Sequence, residues 1–215
     1  ERLGERNFND ALMCFQQWPS CASCHPDGRA DGLNWDLLND GMGNPKQTKN
    51  LLLSHQTPPV MVTGVRANAE TAVRTGMKFI QFAVVPEPEL DAIDAYLRAM
   101  APVPSPFLQK GKLSAEARRG QKVFESAGCV ACHPPPLFTD MRPYNVGLGV
   151  EPHRDTAFDT PTLVENWRTA PYLYDGRAAT MREVLTTANP NDTHGRTRGL
   201  SERDLDDLAA YILSH

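Results

Sequence analysis

Two short stretches, "CASCH" at residues 21–25 and "CVACH" at residues 129–133, each set two cysteines two residues apart directly before a histidine. Thiols at this spacing lie on one helical turn. Both can therefore reach the same edge of a porphyrin and form thioethers with its vinyl groups, while the adjacent histidine supplies an axial nitrogen to iron. The same cysteines could instead form one tetrathiolate zinc site, a dithiol redox site or plain disulfides. None of these needs a histidine immediately after the second cysteine, and here the histidine occurs twice. The motifs assign two covalently attached haem c groups, held by Cys21 and Cys24 and by Cys129 and Cys132, with His25 and His133 as proximal ligands. Of five cysteines only Cys14 is left over, and it reads as an inert buried thiol.

The far side of each iron decides its potential and its openness to substrate. His55, His153, His194 and His215 remain as imidazole candidates, beside seven methionines. His194, in "NPNDTHGRTRGLS", lies on the loop before the closing helix, where a distal ligand commonly arrives in small cytochromes c, and is the candidate for the second iron. His153 is a rival, and His215, the last residue given, is expected to fray. The corresponding stretch of the first half, "RTGMKFIQFAVVPEPE", offers Met77, with Met61 and His55 as open alternatives. With Met77 on one iron and a second imidazole on the other, the first haem would have the higher potential, because a thioether stabilises the ferrous state.

These residues need elements to position them. "APVPSP" at residues 101–106 places three prolines in six positions and suits an extended connector. It divides the chain into a first domain (1–100), a Pro-rich linker (101–113) and a second domain (114–215). Each half runs through a helix-like segment, the cysteine motif, a Pro/Gly-rich middle and a closing amphipathic helix. The opening segments carry Leu12, Phe15 and Trp18 in one half and Val123 and Phe124 in the other. The closing helices carry Leu90, Ile93 and Leu97, and Leu205, Leu208 and Ile212, with Ser201 and Asp204 as a capping signal. The middles align at an offset of 112, as in Thr48 with Thr160, Pro59 with Pro171 and Gly64 with Gly176, which points to internal duplication. The expected fold is mainly α: two cytochrome c-like helical domains, each around one c-type haem that supplies core a domain of about 100 residues could not easily build from side chains.

A chain of 215 residues with net charge −4 and pI about 5.9 has no broad basic field for nucleic acid. It also lacks the run of about 18 apolar residues that a membrane-spanning helix needs. The opening "ERLGERNFND" has no apolar secretory core, so any export signal is expected to have been removed or to lie outside this chain.

The stretch "FDTPTLVENWRTAPYLYDGRAATMREVL" at residues 158–185, with "TPTL", "TAPY" and "DGR" downstream of the second cysteine motif, resembles the C-terminal domain of the bacterial dihaem cytochrome c peroxidase and MauG superfamily. The likeness is specific over residues 114–215 and looser over the first half. It implies two c-type haems in two domains, export to the periplasm and electron passage between the haems. The wording is closest to dihaem modules that accompany β-propeller domains in larger proteins, so the resemblance also implies a redox partner protein or an adjoining domain of a larger assembly.

There are departures from the family pattern. The distal histidine of the peroxidases has no match in "NDGMGNPK" at residues 39–46. Their distal glutamine has none in "GVRANAETAVRTGMKF" at residues 64–79, where Glu70 stands alone. Trp18, Trp35 and Trp167 read as core or haem-packing residues rather than as the family's interhaem tryptophan. The expected function is electron transfer between periplasmic redox partners; the alternative is a haem enzyme of the peroxidase or MauG type with one open iron.

Overall fold

The computed structural model describes residues 1–37 and 43–215, and among them the chain is mainly helical. Strands are limited to two short antiparallel pairs: β1 (Asn34–Trp35) with β2 (Lys46–Gln47), and β3 (Pro143–Tyr144) with β4 (Phe158–Asp159). The chain divides into two compact units, Glu1–Ala101 and Pro102–His215. The Pro-rich segment packs into the second. There the Val103 N–H donates to Glu165 Oε1 at 2.5 Å and the Ser105 hydroxyl to the Leu213 carbonyl at 2.6 Å.

The first unit is built on helices α1 (Arg2–Asn9), α2 (Cys21–Cys24), α3 (Ala69–Phe79) and α4 (Glu87–Ala99). Helix α3 starts at Asn68, whose side chain accepts the Thr71 N–H and so satisfies one of the free donors of the first turn. Helix α4 buries Leu90, Ile93 and Leu97 along one stripe, as their spacing predicts. Helix α1 crosses it at Gly4, where a Cβ would stand 1.8 Å from the Ala92 carbonyl oxygen. Only a residue without a side chain lets the two backbones approach so closely. One turn on, Phe8 packs on Tyr96 with ring centroids 5.3 Å apart.

The second unit repeats this construction with α5 (Ala115–Ser126), α6 (Met181–Leu185) and α7 (Glu202–Ile212). Ser114 caps α5 and Ser201 caps α7, each hydroxyl accepting an N–H three residues on. A Cβ on Gly120 would stand 1.8 Å from the Asp207 carbonyl oxygen, and Phe124 meets Tyr211 edge-on at 5.3 Å. Leu205, Leu208 and Ile212 are buried beside them. The middles repeat as well: Leu53, Met61 and Gly64 have left-handed backbones, and so do Glu165, Leu173 and Gly176, 112 residues later. Isolated bridges join Val60 to Arg66 and Tyr172 to Ala178 at the same offset.

One expected element differs. Helix α1 ends at Asn9, and the segment carrying Leu12, Phe15 and Trp18 forms two short 3₁₀ turns, Ala11–Met13 and Phe15–Gln17, with all three side chains exposed. Asp10 accepts the Leu12 N–H and starts a new turn, and the left-handed backbones of Gln16 and Gln17 cannot continue a helix. The buried aromatic ahead of the first motif is Phe8 instead.

Candidate haem sites

In the second unit Gly128, with φ +86°, turns the chain into the 3₁₀ turn Cys129–Ala131, which brings Cys129 and Cys132 to one side. His133 follows, buried, and its Nδ1 lies 2.8 Å from the Phe138 carbonyl oxygen. That contact holds a proton on Nδ1 and leaves Nε2 with its lone pair free for a metal. Across from it stands His194, with ring centroids 6.4 Å apart and planes tilted by 58°. The gap suits one metal ion between two imidazole nitrogens, each metal–nitrogen bond being about 2 Å. Nδ1 of His194 is buried without a partner among the described residues. Burial, and then the facing His133, push the His194 pKa down to about 4, and burial also lowers that of His133. Both rings are therefore neutral at pH 7, the state in which an imidazole ligates.

In the first unit helix α2 carries both cysteines, its first turn closed by reciprocal contacts between Ser20 and Ser23. Nδ1 of His25 lies 3.0 Å from the Arg29 carbonyl oxygen, the counterpart of the His133 contact. The side-chain amide of Gln81 donates to the Cys21 sulfur at 3.3 Å, and Cys14, buried, donates its thiol to the Gln81 carbonyl oxygen. Burial pushes the Cys21 and Cys129 thiols up to about 11. That is opposite to the lowered pKa of a dithiol redox site. All five cysteines are free, and among the described residues there is no group of three or more His, Cys, Asp or Glu that could hold a metal ion. Two thiols and one oriented imidazole in each unit are the donor set that a c-type haem takes.

The other candidates stand elsewhere. Met77 is not on a loop: it lies on α3, 4% exposed, in a core cluster with Phe8, Leu90, Ile93 and Leu97. The loop after α3, residues 80–86, contains no histidine, cysteine or methionine. Nε2 of His55 is 2.9 Å from Asp94 Oδ1, and Asp94 Oδ2 accepts from Arg74 at 2.6 Å. Met61 gives its carbonyl to the Lys49 ammonium at 3.1 Å. Glu70 pairs with Arg98. Of the stretch at residues 39–46, residues 39–42 lie outside the described residues. His153 meets Tyr174 edge-on at 5.6 Å. His215 does not fray: its ring packs on the aromatic rings of Phe138 and Tyr211, with centroids 4.1 Å and 4.6 Å away. Among the tryptophans, Trp18 is exposed, Trp35 donates to Asp31 at 2.8 Å, and Arg168 lies over Trp167.

The cytochrome c-550 domain family matches residues 108–215. Over 98% of its length the chain is 31% identical to hydrazine synthase subunit gamma of Kuenenia stuttgartiensis, covering 76% of that protein. It is 24% identical to methylamine utilization protein MauG of Methylophilus methylotrophus, over 85% of this chain and 70% of that one. The chain belongs to the dihaem cytochrome c peroxidase and MauG superfamily. A solved structure of hydrazine synthase from Kuenenia stuttgartiensis superposes with a TM-score of 0.91 at 29% identity, over 100% of this chain and 86% of that one.

Membership in this cytochrome c superfamily supports haem c as the cofactor type. Within the superfamily frame, two features escape a reading of the motifs. The His55–Asp94–Arg74 network joins residues up to 39 apart in sequence, with no local signature. The side chain of Asn189, five residues before His194, bonds around that histidine, and the only local sign of it is the turn-rich "NPND".

Proposed function

We propose that this chain is a periplasmic dihaem redox module whose two sites differ in kind. In this reading Cys129 and Cys132 hold a haem c with His133 and His194 as its axial pair, and Cys21 and Cys24 hold another with His25 as its one protein ligand. The observation that carries it is the facing imidazole pair of the second unit, 6.4 Å apart, which has no counterpart among the described residues of the first. Haem c supplies a one-electron redox centre, and where its iron lacks a second protein ligand it also supplies a coordination site for a small molecule.

The residues set these roles. The Phe138 and Arg29 carbonyls fix the tautomer of each proximal imidazole. Met77 spends its thioether on the core, a packing role that suits its flexible chain. Gln81 supports the Cys21 sulfur from the loop where the second unit instead carries His194. The second unit is therefore the electron relay, and the first is where a small substrate would bind. Its similarity to a protein named as a subunit of hydrazine synthase supports work inside a larger assembly, with electrons exchanged with a partner chain.

Spin state tests the assignment. Purified holoprotein should show one low-spin bis-imidazole haem and one high-spin haem by electron paramagnetic resonance, with carbon monoxide binding to one of the two ferrous irons. Two low-spin haems, neither binding carbon monoxide, would replace this reading with electron transfer alone, the first iron then being completed by Met77, Met61 or His55.

A further inference from the structure

His133 and His194 face each other but are held in different ways. His133 is oriented through its ring, by Nδ1 against the Phe138 carbonyl. No such contact orients the ring of His194, whose Nδ1 is buried without a partner among the described residues. Ligating histidines are almost always steered by a hydrogen bond from the second ring nitrogen. The backbone of His194 must do that work instead.

Asn189, 3% exposed, closes around that backbone. Its Oδ1 accepts the His194 N–H at 2.9 Å. Its Nδ2 lies 3.1 Å from the His194 carbonyl oxygen, 2.9 Å from that of Gly195 and 2.9 Å from Thr197 Oγ1. One amide thus holds the peptide groups on both sides of the histidine. Thr197 in turn donates to the Leu185 carbonyl at the end of α6 at 2.7 Å, tying the loop to the core. The Arg196 N–H donates to the Ala127 carbonyl at 3.0 Å, two residues before Cys129. The loop is therefore referenced to the segment that carries the haem thiols.

We infer that Asn189 is the positioning residue for His194, taking the place of the missing ring hydrogen bond by fixing both peptide groups of the histidine. This rests on the reading of His194 as an axial ligand. Without Asn189 the peptide groups of residues 194 and 195 lose their shared anchor, and a ring with no steering contact of its own turns away from the facing His133.

The test uses holoprotein and three variants, Asn189→Ala, Asn189→Asp and His194→Ala. In Asn189→Ala the second haem should change from wholly low-spin to mostly high-spin at pH 7, and its half-saturating cyanide concentration should fall at least tenfold, with the first haem's signature unchanged. Asn189→Asp keeps the acceptor for the His194 N–H but loses the donors, and should fall between wild type and Asn189→Ala. If both Asn189 variants keep the wild-type low-spin spectrum and cyanide resistance, the inference is overturned, even if their melting temperatures drop, since that pattern marks a purely structural side chain. If Asn189→Ala fails to fold, Asn189→Asp alone decides on the same two readouts. His194→Ala separates the layers: if it leaves the second haem low-spin, the ligand reading has failed; if it opens that iron while the Asn189 variants do not, only the positioning role has failed.

Discussion

The two units are one scaffold given two interiors. Gly4 and Gly120 make the same close helix crossing, Phe8 with Tyr96 and Phe124 with Tyr211 the same aromatic pair, and His25 and His133 the same carbonyl contact. The departures gather around what lies beyond that imidazole. Twelve residues lie between Phe8 and Cys21 but four between Phe124 and Cys129, and the extra length carries the exposed Leu12, Phe15 and Trp18. The first unit buries a His55–Asp94–Arg74 network; at the repeat offsets the second has Trp167 opposite His55 and Ala209 opposite Asp94. The second presents His194 where the first has an uncharged loop. Duplication preserves the Cys-x-x-Cys-His motif and leaves the surroundings beyond its histidine free to diverge, because the helix crossing and the motif are fixed by close backbone geometry while the later loop only has to close.

The largest effect expected is on cofactor content. Replacing Cys129 and Cys132 by alanine should remove one of two covalent haems by intact mass and unfold the second unit, whose core the cofactor completes; the matching Cys21 and Cys24 pair should do the same in the first. Retention of both haems in either double variant would break the assignment of one haem to each unit.

Next come the crossings. Gly4→Ala and Gly120→Ala each drive a Cβ to 1.8 Å from a backbone oxygen, so each should cost about 3 kcal/mol, the upper part of the usual overpacking range, in a denaturant titration. A markedly smaller loss at Gly4 would show that the first crossing is the more adaptable one.

The buried network should separate the units. Asp94→Ala leaves the Arg74 guanidinium and the His55 imidazole without their shared acceptor and should cost about 3 kcal/mol, whereas Ala209→Ser at the matching position should change stability little. Equal losses would mean that Asp94 is no special feature of the first unit.

Acid should act on the second unit through His215, which burial pushes from the ordinary 6.5 to about 4. The folded state keeps this ring neutral while the unfolded chain takes up a proton, so its contribution to stability is intact above about pH 6.5 and is lost as pH falls from there towards 4. His215→Phe keeps a ring against Phe138 and should flatten that part of the stability–pH curve; an unchanged slope would assign the acid sensitivity elsewhere. The smallest change is expected from Met77→Leu, a near volume-conserving swap in the core: less than about 1.5 kcal/mol, with the spectrum of the first haem unaltered. A spectral shift at that haem would make Met77 a ligand.

Much of the fold was legible in the sequence because its signals are local. Paired thiols before a histidine, apolar residues along one helical stripe at Leu90, Ile93 and Leu97, and a capping serine at residue 201 each act within a turn or two of chain. The misreadings also have a local cause. Leu12, Phe15 and Trp18 keep a helical spacing, yet left-handed Gln16 and Gln17 break the helix, and periodicity does not encode backbone sign.

By itself, then, the sequence determined two Cys-x-x-Cys-His motifs and a duplicated mainly helical plan, since each depends on residues close along the chain. Only the tertiary structure decided that Met77 faces the core, that His55 is taken by Asp94, that His215 is packed, and that His194 stands opposite His133 with Asn189 around its backbone. Most of those contacts join residues tens of positions apart, and which side chain ends up opposite another is set by how helices cross and loops close, which no local pattern records.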